Sequence, residues 1–274
     1  MTIIQAIILG TIQGITEFLP ISSSGHLVIL PFFLKWQLPA KETFIFDVLV
    51  QIGTLVAVIF YFRKDLAAIL LDFFKQLLAK TPFATHAARM GWLLILATIP
   101  AGLAGVIFAD VIEAAFSSPL IAGIGLLVTA VLMILAEKIS QNIGDTRDIT
   151  FLTALLMGLM QVLAMFPGVS RSGSTISGGM YRHLRREAAG KFSFLMSIPI
   201  MLAAGGLSTY QMVTEVPNLG EFLPIMAIGF LTAMVVGYIA IRWLLKFLAR
   251  NSLIYFSIYC ILLGGITILV WAVN

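Results

Sequence analysis

The 274-residue chain is short of charge: only 11% of its residues are Asp, Glu, Lys or Arg, against roughly 25% in an ordinary soluble domain. That leaves too little polar surface to coat a water-exposed globule. It excludes a soluble enzyme, a disordered chain and a nucleic-acid-binding module. Cysteine is almost absent as well. Cys260 stands alone in an apolar stretch, so no internal disulfide and no cysteine-rich metal site can form, and the residue reads as core. There is no Asn-x-Ser/Thr sequon. The first lysine is Lys35, so the opening segment lacks the basic region of a cleavable signal peptide, and none is expected. What the chain does have is apolar side chains, 60% of the total, with a mean hydropathy of +1.04. Its composition is that of an all-α, polytopic membrane protein. The net charge of +4 then concerns loop placement and anionic headgroups.

A spanning helix needs about 20 apolar residues. Six stretches qualify: 43–62, 91–111, 119–137, 192–214, 222–241 and 254–273. Residues 63–80 mix charges with Leu and Phe and suit an interfacial amphipathic helix. Two further apolar regions, 1–34 and 150–181, are interrupted. The first holds Glu17, Pro20, Ser22, Ser23, Ser24, Gly25 and His26; the second holds Pro167, Gly168, Ser170, Arg171, Ser172, Gly173 and Thr175. Proline removes a helix donor, and serine and glycine favour caps and turns. Broken backbone survives at membrane depth only inside protein or beside a wet cavity, so both regions read as re-entrant helix hairpins.

The two broken regions match at an offset of 148 positions. Gly10 falls on Gly158, Gln13 on Gln161, Phe18 on Phe166, Ser22 on Ser170, Ser24 on Ser172 and Gly25 on Gly173; Phe44 and Phe46 fall on Phe192 and Phe194. The prolines are off by one, and Glu17 meets Met165. This predicts an internal duplication, with halves 1–145 and 146–274. Each half would carry one re-entrant hairpin and three crossings. Three is odd, so the second half would start on the opposite side: an inverted-topology repeat, with its site near the midplane where the broken helices meet.

Ionisable groups inside the apolar regions are few: Glu17, His26, Asp47 and Arg171. Such charges are costly and mark function by default. Two helix N-termini facing each other, with Arg171, would receive a strongly anionic group, because an Arg can grip a phosphate through two parallel hydrogen bonds. Glu17 cannot help bind a bare anion, but it can ligate Mg²⁺ or Ca²⁺ bridged to phosphate oxygens. A carboxylate, a histidine, hydroxyls and an arginine together point to phosphoryl transfer. Other polar and sulfur groups have plainer readings. Gly10 and Gly14 suit close helix packing, the Met-rich stretch 157–165 suits core, Asp47 suits a wet span end, His86 and His183 suit solvated loops, and Arg182, Arg185 and Arg186 suit orientation signals.

The run from Gln13 through Glu17, Pro20, Ser22, Ser23 and Gly25 to His26 resembles the (E/Q)xxxE-x-L-P-x-S-S-x-G-H stretch of the BacA/UppP family. Pro167-Gly168-Val169-Ser170-Arg171-Ser172 with Thr175 resembles its PGxSRSxxT motif. The resemblance implies a bacterial inner-membrane phosphatase that converts undecaprenyl pyrophosphate to the monophosphate, recycling the cell-wall lipid carrier and conferring bacitracin resistance. It implies a divalent metal, Mg²⁺ or Ca²⁺, and site roles for Glu17, Ser23, His26, Ser170, Arg171 and Thr175, with Ser172 beside them on the phosphate. Gln13 stands where many members have Glu; an amide can still ligate metal but cannot act as a base. On this reading Arg171, Ser170 and Thr175 hold the pyrophosphate, Glu17 and Gln13 hold the metal, Ser23 attacks and His26 is the general base. His26 as direct nucleophile and a metal-activated water remain open beside that scheme. The expected partners are the isoprenoid pyrophosphate lipid and the bilayer, with a homodimer left open. The competing function is a secondary transporter or flippase of an anionic isoprenoid phosphate lipid, which would need charge neutralisation but no Ser–His pair.

Basic residues cluster in 63–90, 138–150, 182–191 and 242–250, while 112–118 and 215–221 hold none. Basic loops stay in the cytoplasm, which puts the bare loops and both termini outside; the family resemblance puts the mouth of the site on the outer face. In a Cys260→Ser background, an impermeant maleimide added to intact cells should label a cysteine at Ser117 and spare one at Asn142. The reverse pattern would overturn this orientation.

Overall fold

The computed structural model describes residues 1–116, 118–215 and 219–273, without the side chains of 40–42, 113, 215 and 221. Ser117 and part of the 215–221 loop therefore lie outside the described residues. Twelve α-helices account for most of the rest: α1 Ile3–Thr16, α2 Ser23–Leu34, α3 Ala40–Tyr61, α4 Arg63–Leu78, α5 His86–Ile107, α6 Ala109–Ala115, α7 Pro119–Ile139, α8 Phe151–Leu163, α9 Arg171–Tyr181, α10 Arg186–Glu215, α11 Leu223–Leu248 and α12 Ile254–Val273. Six of them (α3, α5, α7, α10, α11 and α12) are long and apolar enough to cross a membrane. The protein is a multi-pass membrane protein, as its composition requires.

Helix starts follow local capping chemistry. Thr2 and Gln5 form a reciprocal capping box at α1, where a side-chain oxygen accepts from an otherwise unpaired N–H. Thr85 caps α5, Ser118 caps α7 ahead of Pro119, and Thr150 caps α8. Two spans begin earlier than hydropathy predicts. Thr85 starts α5 at His86 rather than near residue 91. The charged first turns of α10 are carried by ion pairs, Arg186 with Glu137 and Lys191 with Asp65. Glu137 accepts from Arg186 Nε and from the Leu253 backbone N–H, both at 2.7 Å, so one carboxylate ties the end of α7 to the starts of α10 and α12. Arg186 thus has a bracing contact in addition to the orientation signal read from sequence. The amphipathic helix expected over 63–80 is α4, which buries Ile69 and leaves Leu70, Leu71 and Phe74 exposed.

α1 lies on α11 and α8 lies on α5, while α3 lies on α11 and α12 on α7. Glycine allows these approaches. A Cβ at Gly10 would sit 2.7 Å from the Gly229 carbonyl oxygen, and one at Gly158 would sit 2.5 Å from that of Ala97. Phe18, Phe46, Phe192 and Phe194 are fully buried, and Phe18 meets Phe194 edge-on at 5.5 Å. Met157 is likewise core. His183 sits in a turn at φ 63°. Asn142 has φ 55° and its side chain accepts from the Arg186 N–H; exposed Gln141 and Gly220 are therefore the less demanding positions for the labelling cysteines.

The segment between α8 and α9 is pressed onto α7. Gly168 has φ +85°, and a Cβ there would lie 1.9 Å from the Ala122 carbonyl oxygen. Gly168→Ala should lower the thermal midpoint in detergent by several degrees. The left-handed backbone alone costs an alanine about 1–2 kcal/mol, and the clash with backbone adds to it. An unchanged midpoint would contradict this packing.

Candidate phosphate-binding site

Both interrupted helix pairs restart at a serine cap. Ser22 Oγ accepts from the Gly25 N–H at 3.2 Å and starts α2. Ser170 Oγ accepts from the Gly173 N–H at 3.1 Å and starts α9. These are corresponding positions at the 148-residue offset. The two breaks also touch. A Cβ on Gly25 would lie 2.9 Å from the Gly168 Cα, and the Ser172 hydroxyl donates to the Leu19 carbonyl at 3.0 Å. The Thr129 hydroxyl accepts from the Ser170 N–H at 2.8 Å and donates toward the Gly125 and Gly168 carbonyls. Non-helical backbone is thus satisfied by protein, as an apolar surrounding demands.

Glu17 ends α1 and Arg171 begins α9. Arg171 Nη2 donates to Glu17 Oε1 at 2.6 Å, with the two side chains only 13% and 11% exposed. The other carboxylate oxygen accepts from Ser23 Oγ at 2.6 Å and from Gln13 Nε2 at 3.2 Å. Arg171 Nη1 is buried and has no partner among the described residues. The guanidinium fork is therefore divided, one nitrogen anchored on Glu17 and the other without a partner among the described residues. Glu17, Ser23 and Arg171 wall a cavity of about 250 Å³ that also meets Ser22, Ser24, Gln51, Gln161 and Ser170. Ser23, Ser24, Gln51 and Phe116 are shared with a second hollow of about 570 Å³. That hollow is mainly apolar, with Leu27, Val28, Trp36 and Phe44 on its wall beside Gln13 and Asp47.

The structure brings Gln13, Glu17, Ser23, Ser170 and Arg171 together, and sets the other expected residues apart. Thr175 donates to the Arg171 carbonyl and lies 2.6 Å from Ser193 Oγ; it is fully buried and braces α9 on α10. Ser172 holds Leu19. His26 does not meet Ser23: its Nδ1 donates to the Ser22 carbonyl at 2.7 Å, and its Nε2 is 2.7 Å from the Tyr259 hydroxyl, the two rings stacked 4° from parallel. In the neutral ring Nε2 is then an acceptor already occupied. The group beside Ser23 is Glu17. Gln161 and Tyr259 are site neighbours that sequence reasoning did not single out. Gln161 had a signal in its register with Gln13; Tyr259 had none.

The donor set fits a divalent cation that arrives with a phosphate. Among the described residues there is no cluster of three or more His, Cys, Asp or Glu side chains. The site offers one carboxylate, an amide and hydroxyls, all hard oxygen donors. Mg²⁺ is commonly held by one or two carboxylates, with substrate phosphates and water filling the rest of its shell.

The chain is similar to known proteins over nearly its whole length. The family described as bacitracin resistance protein BacA matches residues 6–266. An undecaprenyl-diphosphatase of Methanosphaera stadtmanae is 39% identical over 98% of both chains. One of Chlorobium phaeobacteroides is 41% identical over 96% of this chain and 95% of its own. One of Moorella thermoacetica is 38% identical over 99% and 98%.

Because Ser23 and Glu17 are joined by one short hydrogen bond, they should behave as a unit. Ser23→Ala and Glu17→Gln should each lower phosphate release by about a hundredfold or more, and the double variant should be hardly worse than either. Losses that multiply would separate the two residues.

Proposed function

Since the chain belongs to the bacitracin resistance protein BacA family, we propose that it hydrolyses undecaprenyl pyrophosphate to undecaprenyl phosphate and inorganic phosphate, recycling the lipid carrier of cell-wall synthesis. The observation that carries the reading is the hydrogen-bonded chain Ser23–Glu17–Arg171 on the wall of a small cavity that shares Ser23 and Ser24 with a mainly apolar hollow. The hollow suits an isoprenoid tail, and the divided Arg171 fork suits a phosphate. A carrier of the same lipid would need the charge but not a hydroxyl held against a carboxylate, and the relatives are named as hydrolases.

The reaction then runs through this chain's own groups. Arg171 Nη1 and Ser170 hold phosphate oxygens. Ser23 Oγ attacks the terminal phosphorus while its proton passes to Glu17 Oε2, and the bond from that phosphorus to the bridging oxygen breaks, releasing the lipid monophosphate. Water then hydrolyses the phosphoserine to give inorganic phosphate and restore the hydroxyl. His26, fixed between the Ser22 carbonyl and Tyr259, holds the turn that presents Ser23. Mg²⁺ or Ca²⁺ held by Glu17 and Gln13 would neutralise charge on the phosphate oxygens. Water exclusion by the apolar walls strengthens each of these contacts.

The fold reading that accompanies this function is an inverted repeat with halves 1–145 and 146–274 and two re-entrant hairpins, α1–α2 and α8–α9. It is supported by the paired serine caps and by the exchanged packing of α1 on α11 and α8 on α5. The bare loops would then face the outside of a bacterial inner membrane, with the cavity open to that side. Phosphate release from farnesyl and undecaprenyl pyrophosphate by purified protein, with and without chelator, tests the function. Arg171→Lys should lose about a hundredfold, or about 3 kcal/mol of transition-state stabilisation, because a single ammonium cannot hold Glu17 and a phosphate through a planar fork. Near-normal rates in that variant, or no phosphate release by the unaltered protein, would overturn the proposal.

A further inference from the structure

Gln161, on α8, lines the same cavity as Glu17 and Arg171. It is only 3% exposed, yet neither its amide nitrogen nor its amide oxygen finds a partner among the described residues. A buried amide left unpaired lowers stability, so native folds rarely keep one without a reason. Arg171 Nη1 is unpaired beside the same cavity. Other unpaired buried atoms, on Trp92, Ser174 and Ser177, do not belong to its lining.

Local sequence explains why the amide is free. The corresponding residue in the first half, Gln13, donates to Glu17 four residues on. Four residues after Gln161 stands Met165, whose thioether is a weak acceptor. The two glutamines hold the same register, but this one has no carboxylate neighbour in its own helix.

Position decides what it would bind. Ser23 and Ser24 line both the inner cavity and the apolar hollow, whereas Gln161, Ser170 and Arg171 line the inner cavity and not the hollow. A lipid tail in the hollow places its first phosphate at the shared wall and its second phosphate inside. We propose that Gln161, with Arg171 Nη1, binds the terminal phosphate of the pyrophosphate and is the residue by which the site distinguishes a pyrophosphate lipid from a monophosphate lipid. Its Nε2 donates to a charged phosphate oxygen, and its Oε1 accepts from the hydroxyl of a hydrogen phosphate, so one ligand satisfies both unpaired atoms. A monophosphate lipid, with its single phosphate at the shared wall, does not reach Gln161. The assignment rests on the pyrophosphatase reading.

The test is Gln161→Met, close in shape and apolar. Removing an unsatisfied amide should leave the thermal midpoint unchanged or higher. The inhibition constant for inorganic phosphate and KM for an isoprenoid pyrophosphate should both rise about ten- to a hundredfold, the range for a hydrogen bond to a charged group. Inhibition by the isoprenoid monophosphate should stay as it was. A fall in midpoint with equal weakening toward both inhibitors would make Gln161 a structural residue, and an unchanged phosphate constant would remove it from the site; either overturns the proposal. If the unaltered protein releases no phosphate, it is the functional reading that fails. Calorimetric binding of inorganic phosphate to the unaltered and Gln161→Met proteins then decides the role of Gln161 by itself.

Discussion

The ion pair between Glu17 and Arg171 joins two helix interruptions 154 positions apart. Both charges are almost removed from solvent, in a chain with little polarity to spare. Each requires the other: deleting one partner of a buried pair typically costs about 3–5 kcal/mol, because the survivor keeps its desolvation penalty. The pair also fixes the rest of the site. Glu17 can hold Ser23 and Gln13 with its second oxygen only while the first is held by Arg171, and Arg171 can offer Nη1 to a ligand only while Nη2 is anchored.

That arrangement depends on broken backbone being tolerated among apolar helices. The tolerance comes from a few contacts: Thr129 beneath Ser170 and Gly168, Ser172 on the Leu19 carbonyl, and the bare contact of Gly25 with Gly168. The two hydroxyls exchange lost helical hydrogen bonds for ones from another element, and the glycines let the two breaks close on each other. The result is two serine-capped helix starts brought together in the protein interior, where unpaired N–H groups and an arginine favour an anion. The six long helices form the frame around them, and Glu137 fastens three of those helices at one end.

The inner cavity and the apolar hollow share a wall. Ser23 and Ser24 face both spaces, so a molecule with a charged head and a hydrocarbon tail fills them together. A water-soluble pyrophosphate would fill only the inner one. On the proposed function, the substrate's two physical characters meet two adjoining surfaces, and Ser23, the proposed nucleophile, stands at their border.

The sequence alone determined the membrane class, the six long helices, the amphipathic helix α4 and the two interruptions, because each follows from local composition: runs of apolar residues, or serine, glycine and proline that cannot continue a helix. It also singled out Glu17 and Arg171, since a charge in an apolar run is rare enough to be informative by itself. Tertiary structure decided which groups meet. His26 and Ser23 are three residues apart and read as partners, yet Ser22 at φ 68° turns the chain so that Ser23 reaches back to Glu17 while His26 reaches Tyr259, 233 positions away. Thr175 lies in a phosphate motif by pattern, but one helical turn carries it toward Ser193 and away from the cavity. Gln161 matches Gln13 in register, and only the folded chain shows that one amide is paired and the other is not. Spacing fixes what is near along a helix; the direction of a turn, and what another helix places opposite it, are long-range outcomes that no local pattern encodes.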